Sequence, residues 1–329
     1  MKRVGLVASS NGLGHARRIF QLALAFEIHG YSTTIFATSN QIKKLIQEQD
    51  LEKTQLNYCD IDTHGIDGPA WLLNGGRITT PTHDVIAKLK KCDFVISDNV
   101  LWPRKYSEVF VLFGHFNWID YWAKVNLGQF NLSLTQVYYE ELQELLDVKV
   151  WFQFSDFALD DTLNFPKQIV PIKLLNYLSD TNLRNLIVDK SLVWISNGTT
   201  GLQRTLSSRQ RKSVIFKVEE KETFQLLKVK QKPIFVIGRP GLGTIRDCLA
   251  AGIIFHPYWD ELDPELTSNV KNLMRLSLIC STSIDEIQIH SLGEKIIADV
   301  GIKNSWLDAQ SNMMNDTHLV INQIVDFLN

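Results

Sequence analysis

The sequence predicts an α/β protein made of two halves, each with a mainly parallel sheet covered by helices. Short apolar runs alternate with segments of helical period, which is typical of β-α units. This succession begins at the N-terminus and begins again near residue 191. The chain has 329 residues, 45% of them apolar, which is enough for two domains with a core each.

The first half opens with a strand, a glycine turn and a helix. The run KRVGLVA (2–8) predicts a buried strand. Behind the turn, four apolar residues spaced i, i+3, i+4 and i+7 share one face of a helix that Gly30 ends; they are Ile19, Leu22, Ala23 and Phe26. Further apolar runs predict strands at YSTTIFA (31–37), CDFVISD (92–98) and EVFVLFG (108–114).

The second half repeats this pattern without repeating the sequence. Its predicted strands are SLVWIS (191–196), SVIFKV (213–218), PIFVIG (233–238) and GIIFHP (252–257). Two prolines and weak periodicity predict a linker over 165–190. The last segment is an amphipathic helix, with Leu319, Ile321, Ile324, Val325 and Phe327 available for one face. We therefore expect an N-terminal domain over 1–170, with the helix within 312–329 packing back on it, and a C-terminal domain over 171–311.

Charge and cysteine usage exclude several classes of protein. The net charge is −2 and the sequence pI is about 6.5, so we expect no nucleic-acid partner. The four cysteines are far apart and form no C-x-x-C pair, which is typical of reduced thiols. Residues 1–8 are too short for a signal peptide, and no apolar run approaches a membrane span. We expect a cytoplasmic protein with at most peripheral membrane contact.

Three glycine turns follow predicted strands, at 11–15, 196–201 and 238–244. Ligands of open α/β sheets bind beyond the carboxyl ends of the strands, where helix N-termini attract anions. The turns therefore predict an anionic ligand in a cleft between the halves. A dinucleotide is disfavoured because Arg17 stands where the third glycine of G-x-G-x-x-G belongs, and no G-K-[ST] motif is present.

The third turn is the most informative, because it reads strand, RPGLGT, short helix, Gly252 and strand. Thr244 is expected at the helix N-terminus beside a phosphate, and Asp247, one turn later, can reach vicinal hydroxyls. Together they suit a diphosphate joined to a ribose. The alternative is that Thr244 is only an N-cap and Asp247 a partner of the helix dipole.

The turns together resemble those of nucleotide-sugar glycosyltransferases of the GT-B fold. The pattern G-x-G-H-x-x-R at 12–18 is similar to the opening of the lipid II-forming glycosyltransferases and of the UDP-sugar hydrolases of pseudaminic acid synthesis. The stretch 238–272 resembles their donor-binding motif. The resemblance implies two Rossmann-like domains facing each other across a cleft. It also implies nucleotide-sugar contacts by Gly12, Gly14, Arg18, Gly198, Thr199, Gly201, Arg239, Gly241, Gly243, Thr244, Asp247 and Glu265.

Within that resemblance, Gly241, Gly243 and Thr244 of the third turn hold the diphosphate, Asp247 the ribose, and Glu265 or its neighbours the sugar. Gly198 and Gly201 match the glycine turn that opens the C-terminal half of these families. Arg18 is expected to steady a phosphate or the loop, or else to face solvent. The sequence departs from the family in three places: the ribose acid is an aspartate instead of the usual glutamate, and Arg239-Pro240 stands where many members have His or Gly-Gly. The third is that the donor loop lacks the Gln that contacts the sugar in many plant and bacterial members, so the identity of the donor does not carry over.

His15 lies in the first turn and is the candidate general base, since histidine is suited to accept a proton at neutral pH. Asp98 ends a predicted strand on the same sheet edge, where its carboxylate can fix the histidine tautomer. Plant members of the resembled fold use such a His–Asp pair. The alternative is that His15 only caps backbone groups at the start of the helix.

Other side chains are candidates for a metal, an acceptor or the core. Asp60, Asp62 and His64 could bind a divalent cation, or their glycine-rich loop could border an acceptor pocket. Three aromatic residues after the strand at 108–114 could stack on an acceptor or belong to the core; they are Trp118, Tyr121 and Trp122. His115, Asp120 and His256 are further polar candidates.

The function predicted from these features is inverting transfer of a sugar from a nucleotide-diphosphate sugar, expected to be UDP-linked, to an acceptor hydroxyl. The donor is a hexosyl or N-acetylhexosaminyl nucleotide, and the acceptor a glycan, a lipid-linked glycan or a small molecule. No cofactor and no metal are expected, because helix N-termini supply positive potential. The alternatives are hydrolysis of the nucleotide sugar at the same site, and a catalytically silent protein that binds nucleotide sugars.

Overall fold

The structure is a computed structural model that describes residues 1–49, 56–68, 79–124, 132–159, 168–176, 188–195, 215–218, 232–258, 263–279, 306, 308–309, 312 and 314–328. The chain divides into two compact units. The first comprises Met1–Lys173 and Asn315–Asn329, and the second comprises Leu174–Met314. Short strands β8 (Leu174–Asn176) and β13 (Met314–Asp316) lie where the chain passes from one unit to the other.

The first unit contains a parallel sheet with seven strands in the part of the chain that the structure describes. They are β1 (Arg3–Val7), β2 (Ser32–Ala37), β3 (Asn57–Asp60), β4 (Phe94–Asp98), β5 (Phe110–Gly114), β6 (Val150–Phe154) and β7 (Gln168–Ile172). Their order in the sheet is β3-β2-β1-β4-β5-β6-β7. Strands β4, β5 and β6 are buried along their whole length, which accounts for their nearly unbroken apolar sequences.

This order creates a switch point between β1 and β4. The chain runs from β1 to β2 and β3 on one side, and then returns to β4 on the other side of β1. Val7 lies beside Phe36 of β2 and Ser97 of β4. The connections that leave β1 and β4 therefore run to opposite sides, toward β2 and β5, and ligands of open α/β sheets bind at the carboxyl ends of the strands at such a point.

Helices cover this sheet, and the first of them confirms the predicted spacing. They are α1 (Leu13–Ile28), α2 (Ser39–Gln49), α3 (His83–Lys90), α4 (Trp118–Lys124) and α5 (Leu132–Leu146), with 3-10 turns at Trp102–Tyr106 and Ser155–Phe157. The four apolar residues predicted to share a face of α1 are all buried. Gly30 has a φ of +81°, a left-handed conformation that a side chain rarely adopts, and it ends the helix as predicted.

The C-terminal helix, α8 (Thr317–Leu328), packs against α1. Its buried residues are Thr317, Val320, Ile321 and Ile324. The predicted apolar face is wrong for Leu319, which is 49% exposed and lies off the i, i+3, i+4, i+7 row that runs from Thr317. Phe327 is 37% exposed, but its ring packs edge-on against the buried Phe152, with 6.3 Å between centroids.

The predicted linker over 165–190 is wrong in part. Its residues Gln168–Ile172 form β7, which pairs in parallel with β6, Val150 beside Gln168 and Phe154 beside Ile172. Pro171 lies within this strand, and β7 is at the edge of the sheet, where a missing N–H costs no hydrogen bond with a further strand.

The second unit contains a smaller parallel sheet, with four strands among its described residues. They are β9 (Val188–Ile195), β10 (Ile215–Val218), β11 (Lys232–Gly238) and β12 (Ile254–Pro257), in the order β10-β9-β11-β12. Helices α6 (Leu242–Ala251) and α7 (Pro264–Arg275) follow β11 and β12. Ile195 lies beside Ile237, so the carboxyl ends of β9 and β11 are neighbours, at the switch point of this sheet.

Within the described residues, no helix combines the length and the apolar character needed to span a membrane. Three cysteines there, Cys59, Cys92 and Cys248, are free thiols.

A buried carboxyl group makes the stability of the first unit depend on pH. Glu141 of α5 is 2% exposed, and its Oε1 has no hydrogen-bond partner among the described residues. Burial, opposed by Lys105 and reinforced by Glu144 and Glu140, raises the pKa of Glu141 from 4.5 to about 7. The folded protein therefore holds this proton where the unfolded chain has lost it. The resulting stability is fully present below pH 4.5 and is lost as the pH rises through about 7.

We expect Glu141→Gln to raise the free energy of unfolding at pH 8 relative to the unmodified protein, by about 3 kcal/mol. At about pH 3, well below 4.5, the difference due to titration should vanish, because Glu141 is then protonated in both the folded and the unfolded protein. Urea unfolding at the two pH values measures this, with the exposed neighbour Glu140→Gln as the control. An equal difference at both pH values would show that Glu141 does not titrate in this range.

Candidate active site

His15 and Asp98 meet at the switch point of the first sheet. His15 is the third residue of α1, and Asp98 is the last residue of β4. His15 Nδ1 lies 3.1 Å from Asp98 Oδ1. Asp98 is fully buried and His15 is 5% exposed, so the pair is shielded from bulk water. The two residues are 83 positions apart, and the fold joins them because their strands are neighbours.

Arg18 completes this cluster in a way that the sequence analysis did not predict. It is 4% exposed, and its Nε and Nη2 donate to Asp98 Oδ2 and Oδ1 at 2.8 and 2.9 Å. Its guanidinium also lies over the Phe154 ring. Arg18 was expected to steady a phosphate or the loop, or else to face solvent. Instead it is buried against Asp98, because a buried carboxylate needs a paired charge.

The cluster keeps Asp98 ionised. Burial alone would raise the pKa of Asp98, but the charges and hydrogen bonds of Arg18 and His15 outweigh it and lower the pKa to about 2. A carboxylate beside the imidazole favours a proton on Nδ1 and leaves Nε2 to act on another molecule.

The turn before His15 is open. Gly12 has a φ of +81° and is the N-cap of α1, with no side-chain hydrogen bond at the cap. A Cβ at Gly12 or Gly14 would meet no atom within 4 Å among the described residues. Free N–H groups at a helix start attract negative charge. The backbone at Gly12 and Gly14, both predicted site residues, can therefore be approached closely by another molecule.

Side chains from two other segments hold this turn. Asp67, in the loop after β3, accepts from Ser9 Oγ at 2.5 Å and from Ser10 N at 2.8 Å. Gln41 of α2 donates from Nε2 to the carbonyls of Ser9 and Gly12 at 2.8 and 2.7 Å. The sequence analysis missed both residues. The available signal was an acid between an apolar residue and a glycine, in IDG at 66–68, within the glycine-rich loop that could border an acceptor pocket.

Gly114 allows Asp98 and its neighbour to occupy this edge of the sheet. Its φ is +124°, and a Cβ there would overlap Asn99 Oδ1 and come within 3.0 Å of Asp98 Oδ1. Asn99 itself has a φ of +65°, which is uncommon outside glycine. A side chain at position 114 would therefore displace the carboxylate that contacts His15.

The aromatic residues after β5 belong mainly to the core. Trp118 and Trp122 are 2% and 4% exposed and lie in the main apolar cluster, with Tyr121 partly buried against it. The interpretation as core is therefore correct for the two tryptophans. Trp118 also donates from Nε1 to Ser9 Oγ at 3.1 Å, which ties it to the glycine turn.

The remaining polar candidates of this segment are buried. His115 packs edge-on against the Phe116 ring, with 4.6 Å between centroids. Asp120 Oδ2 accepts from Asn117 Nδ2 at 2.7 Å, and Asn117 Oδ1 accepts from Asp120 N at 3.0 Å, a local bridge at the start of α4.

The possible metal ligands after β3 have other partners. Asp60 Oδ2 accepts a hydrogen bond from Ser39, and Asp62 is exposed. His64 packs against Trp102, its Nδ1 lies 2.9 Å from Thr79 Oγ1, and burial lowers its pKa. Over the described part of the chain, no three His, Cys, Asp or Glu side chains are grouped to hold a metal ion.

In the second unit, the third glycine turn leads into an uncapped helix. The N-cap of α6 is Gly241, no side chain caps this end, and a Cβ at Gly241 would meet nothing within 4 Å in the described residues. The alternative in which Thr244 is the N-cap is wrong, because it is the third residue of the helix, after Leu242 and Gly243. The turn is anchored by Asn269 of α7, which donates to the Pro240 carbonyl at 2.8 Å.

Two charged residues expected at the nucleotide have protein partners. Asp247 accepts at Oδ1 from the buried Arg246, with Nε at 2.9 Å and Nη2 also in contact. Arg239 Nη2 lies 2.9 Å from Asp263 Oδ2, and Asp263 also caps α7 by accepting from Glu265 N and Leu266 N. Glu265 itself lies half-buried in the first turn of α7. Nucleotide-sugar contacts by these residues stay predictions.

His256 ends β12, and burial lowers its pKa to about 4, so it is neutral. Its Nε2 has no hydrogen-bond partner in the described part of the chain. Gly198, Thr199 and Gly201, the predicted second turn, lie outside the described residues.

No protein-family model matches the sequence, and no curated protein matches it. Solved structures do resemble it in fold. The spinosyn forosaminyltransferase SpnP is 12% identical, with 99% of each chain covered and a TM-score of 0.66. The spinosyn rhamnosyltransferase SpnG is 13% identical, with 99% of this chain and 100% of that chain covered and a TM-score of 0.60. Arabidopsis thaliana UGT89C1, solved with UDP-L-rhamnose, is 11% identical, with 95% and 93% covered and a TM-score of 0.58.

These similarities extend over almost the whole chain, so they include both units. They confirm the predicted α/β fold class with two Rossmann-like domains, the GT-B fold of these glycosyltransferases. At such low identity they establish the fold, and function has to be argued from the residues of the site.

Proposed function

We propose that the protein is a glycosyltransferase that moves a sugar from a nucleotide-diphosphate sugar to an acceptor hydroxyl. The observation that carries the proposal is the buried His15–Asp98 pair beside an open glycine turn, at the switch point of the first sheet. Solved structures of the same fold support it, since SpnG has been solved with thymidine diphosphate and with spinosyn aglycone, and UGT89C1 with UDP-L-rhamnose.

In the proposed reaction, His15 is the general base. With its Nδ1 proton directed at Asp98 Oδ1, its Nε2 accepts the proton of the acceptor hydroxyl. The acceptor oxygen bonds to the anomeric carbon of the sugar as the bond from that carbon to the diphosphate oxygen breaks. The electron pair leaves with the nucleoside diphosphate. One displacement of this kind inverts the anomeric configuration.

Arg18 constrains the tautomer that this role requires. Its Nη2 lies 2.8 Å from His15 Nδ1 as well as 2.9 Å from Asp98 Oδ1. Arginine can only donate, so a hydrogen directed at Nδ1 would require the other tautomer, with the proton on Nε2. The proposal therefore needs the Arg18 hydrogens directed at Asp98. Its bidentate contact with that carboxylate supports this arrangement.

The donor site is assigned to the second unit. The uncapped N-terminus of α6, with Gly241, Gly243 and Thr244, offers N–H groups to a diphosphate. Asp247, one turn along, is the candidate ligand of the ribose. Because the helix start supplies positive potential, we propose that the diphosphate leaves without a metal ion. We propose a UDP-linked hexose or N-acetylhexosamine as the donor sugar.

Nucleotide binding is the first test of this assignment. In calorimetric titrations with UDP, TDP, GDP and ADP, we expect one base to be preferred. Asp247→Asn should lower the affinity for that nucleotide about tenfold, because a hydrogen bond to a charged group is lost. The affinity for pyrophosphate should fall much less. Asp308→Asn, an exposed aspartate of the same unit, is the control and should bind normally. No binding of any nucleoside diphosphate at millimolar concentration would exclude the proposed donor.

A further inference from the structure

A second buried carboxylate, Asp67, contacts the turn that carries His15. It is 2% exposed, and both of its oxygens accept hydrogen bonds from the turn, Oδ1 from the Ser9 hydroxyl and Oδ2 from the Ser10 N–H. Burial raises the pKa of Asp67 above its usual value, and these hydrogen bonds and the nearby His15 ring offset only part of that rise. Since both oxygens accept, the geometry fits the ionised form.

Ser9 links Asp67 to two further groups by hydrogen bonds. Its Oγ donates to Asp67 and accepts from Trp118 Nε1 at 3.1 Å and from Asn11 N at 3.3 Å. Trp118 is itself buried in the core of the first unit. Hydrogen bonds therefore connect the first residues of the turn to Asp67 on one side and, through Trp118, to the core on the other.

The backbone beside Asp67 is shaped for this approach. Gly68 has a φ of +65°, and a Cβ there would lie 3.0 Å from Asn11 Cβ. A residue with a side chain would be strained in its backbone and would push Asn11 away. The loop after β3 thus rests directly on the glycine turn.

We propose that Asp67 is a positioning residue for His15, which fixes the turn and stabilises the imidazolium formed when His15 accepts a proton. The charged groups around His15 are then Asp98, Arg18 and Asp67. Asp98 is neutralised by its bidentate contact with Arg18, which leaves Asp67 as the negative charge that balances the imidazolium. This inference rests on the proposed function.

Asp67→Asn tests the inference, because it keeps the size of the side chain, removes the charge and leaves only one oxygen to accept the hydrogen bonds of Ser9 and Ser10. We expect kcat to fall by roughly 10- to 100-fold through displacement of the base, while the KM of the nucleotide sugar changes little. The acidic limb of the pH–rate profile should move down by about half a pH unit or more, because a cationic base loses a nearby negative charge. Asp84→Asn, whose side chain is 70% exposed in α3, is the matched control and should leave both unchanged.

Trp118→Phe separates the effect of the Asp67 charge from the effect of the hydrogen bonds that hold the turn in place. It removes the hydrogen bond to Ser9 and leaves Asp67 in place, so kcat should fall less and the acidic limb should stay where it is. If Asp67→Asn leaves the acidic limb in place, or if its loss of kcat only matches a loss of folded protein, the inference is wrong.

Two readouts without substrate distinguish this inference from the proposed function. Asp67→Asn should speed hydrogen exchange at the Ser10 amide, and it should lower the pH at which the NMR signals of the His15 ring change. If both changes occur in a protein that turns over no nucleotide sugar, the proposed function fails and the coupling of Asp67 to His15 holds. If neither occurs, the coupling fails whatever the turnover.

Discussion

We expect His15→Ala to lower turnover by roughly 10²- to 10⁴-fold, which is the usual contribution of a positioned general base. The affinity for the nucleoside diphosphate changes little, because the proposal places that group at the N-terminus of α6, in the other unit. Single-turnover rates with a nucleotide sugar and calorimetric titration with the nucleotide measure the two quantities separately.

The control for this experiment is His83→Ala, since His83 is exposed at the start of α3 and should keep normal turnover. His15→Gln is a second variant for the case in which His15→Ala fails to fold, because it retains a neutral side chain that can form a hydrogen bond with Asp98. Near-normal turnover in either His15 variant would show that the histidine is structural.

Asp98→Asn should reduce turnover by a similar factor and also destabilise the first unit. The amide no longer favours a proton on Nδ1 of His15, and it leaves the buried Arg18 without its carboxylate. Removing one partner of a buried ion pair costs about 3–5 kcal/mol in the free energy of unfolding. Urea unfolding and turnover of the folded fraction measure the two effects.

The surface pair Asp84–Lys88 provides the comparison for this prediction. Asp84→Asn breaks an exposed ion pair of 2.7 Å and should cost about 0–1 kcal/mol with no loss of turnover. If Asp98→Asn is as stable and as active as Asp84→Asn, the carboxylate is neither an anchor for Arg18 nor a partner for His15.

The sequence was enough to predict the four described strands of the second sheet and four of the seven described in the first, β1, β2, β4 and β5, while β3 and β6 were not predicted. His15 and Asp98 could be paired in advance because each follows or ends an apolar run, and the carboxyl ends of parallel strands share one edge. The spacing of apolar residues in α1 and the left-handed Gly30 are equally local signals. These features depend on short segments of the chain, so the local pattern of residues is enough to predict them.

The contacts around the pair could not be predicted in the same way. Nothing in the sequence around Arg18 indicates whether its side chain contacts a phosphate, solvent or a carboxylate 80 positions away. Asp67 reaches the turn only through the path of a loop, and Gly114 matters only because Asn99 and Asp98 crowd it. β7 was missed because Pro171 and weak periodicity hide an edge strand.

Release of nucleoside diphosphate from a panel of UDP-, TDP- and GDP-linked sugars, in EDTA, tests the central claim most directly. The account predicts release from one donor, loss of that release in His15→Ala, and a product whose anomeric configuration is inverted by NMR. Attachment of the sugar to an added acceptor marks a transferase, whereas free sugar alone marks hydrolysis at the same base. No release from any donor, release only after Mn²⁺ or Mg²⁺ is restored, or equal release by His15→Ala would contradict it.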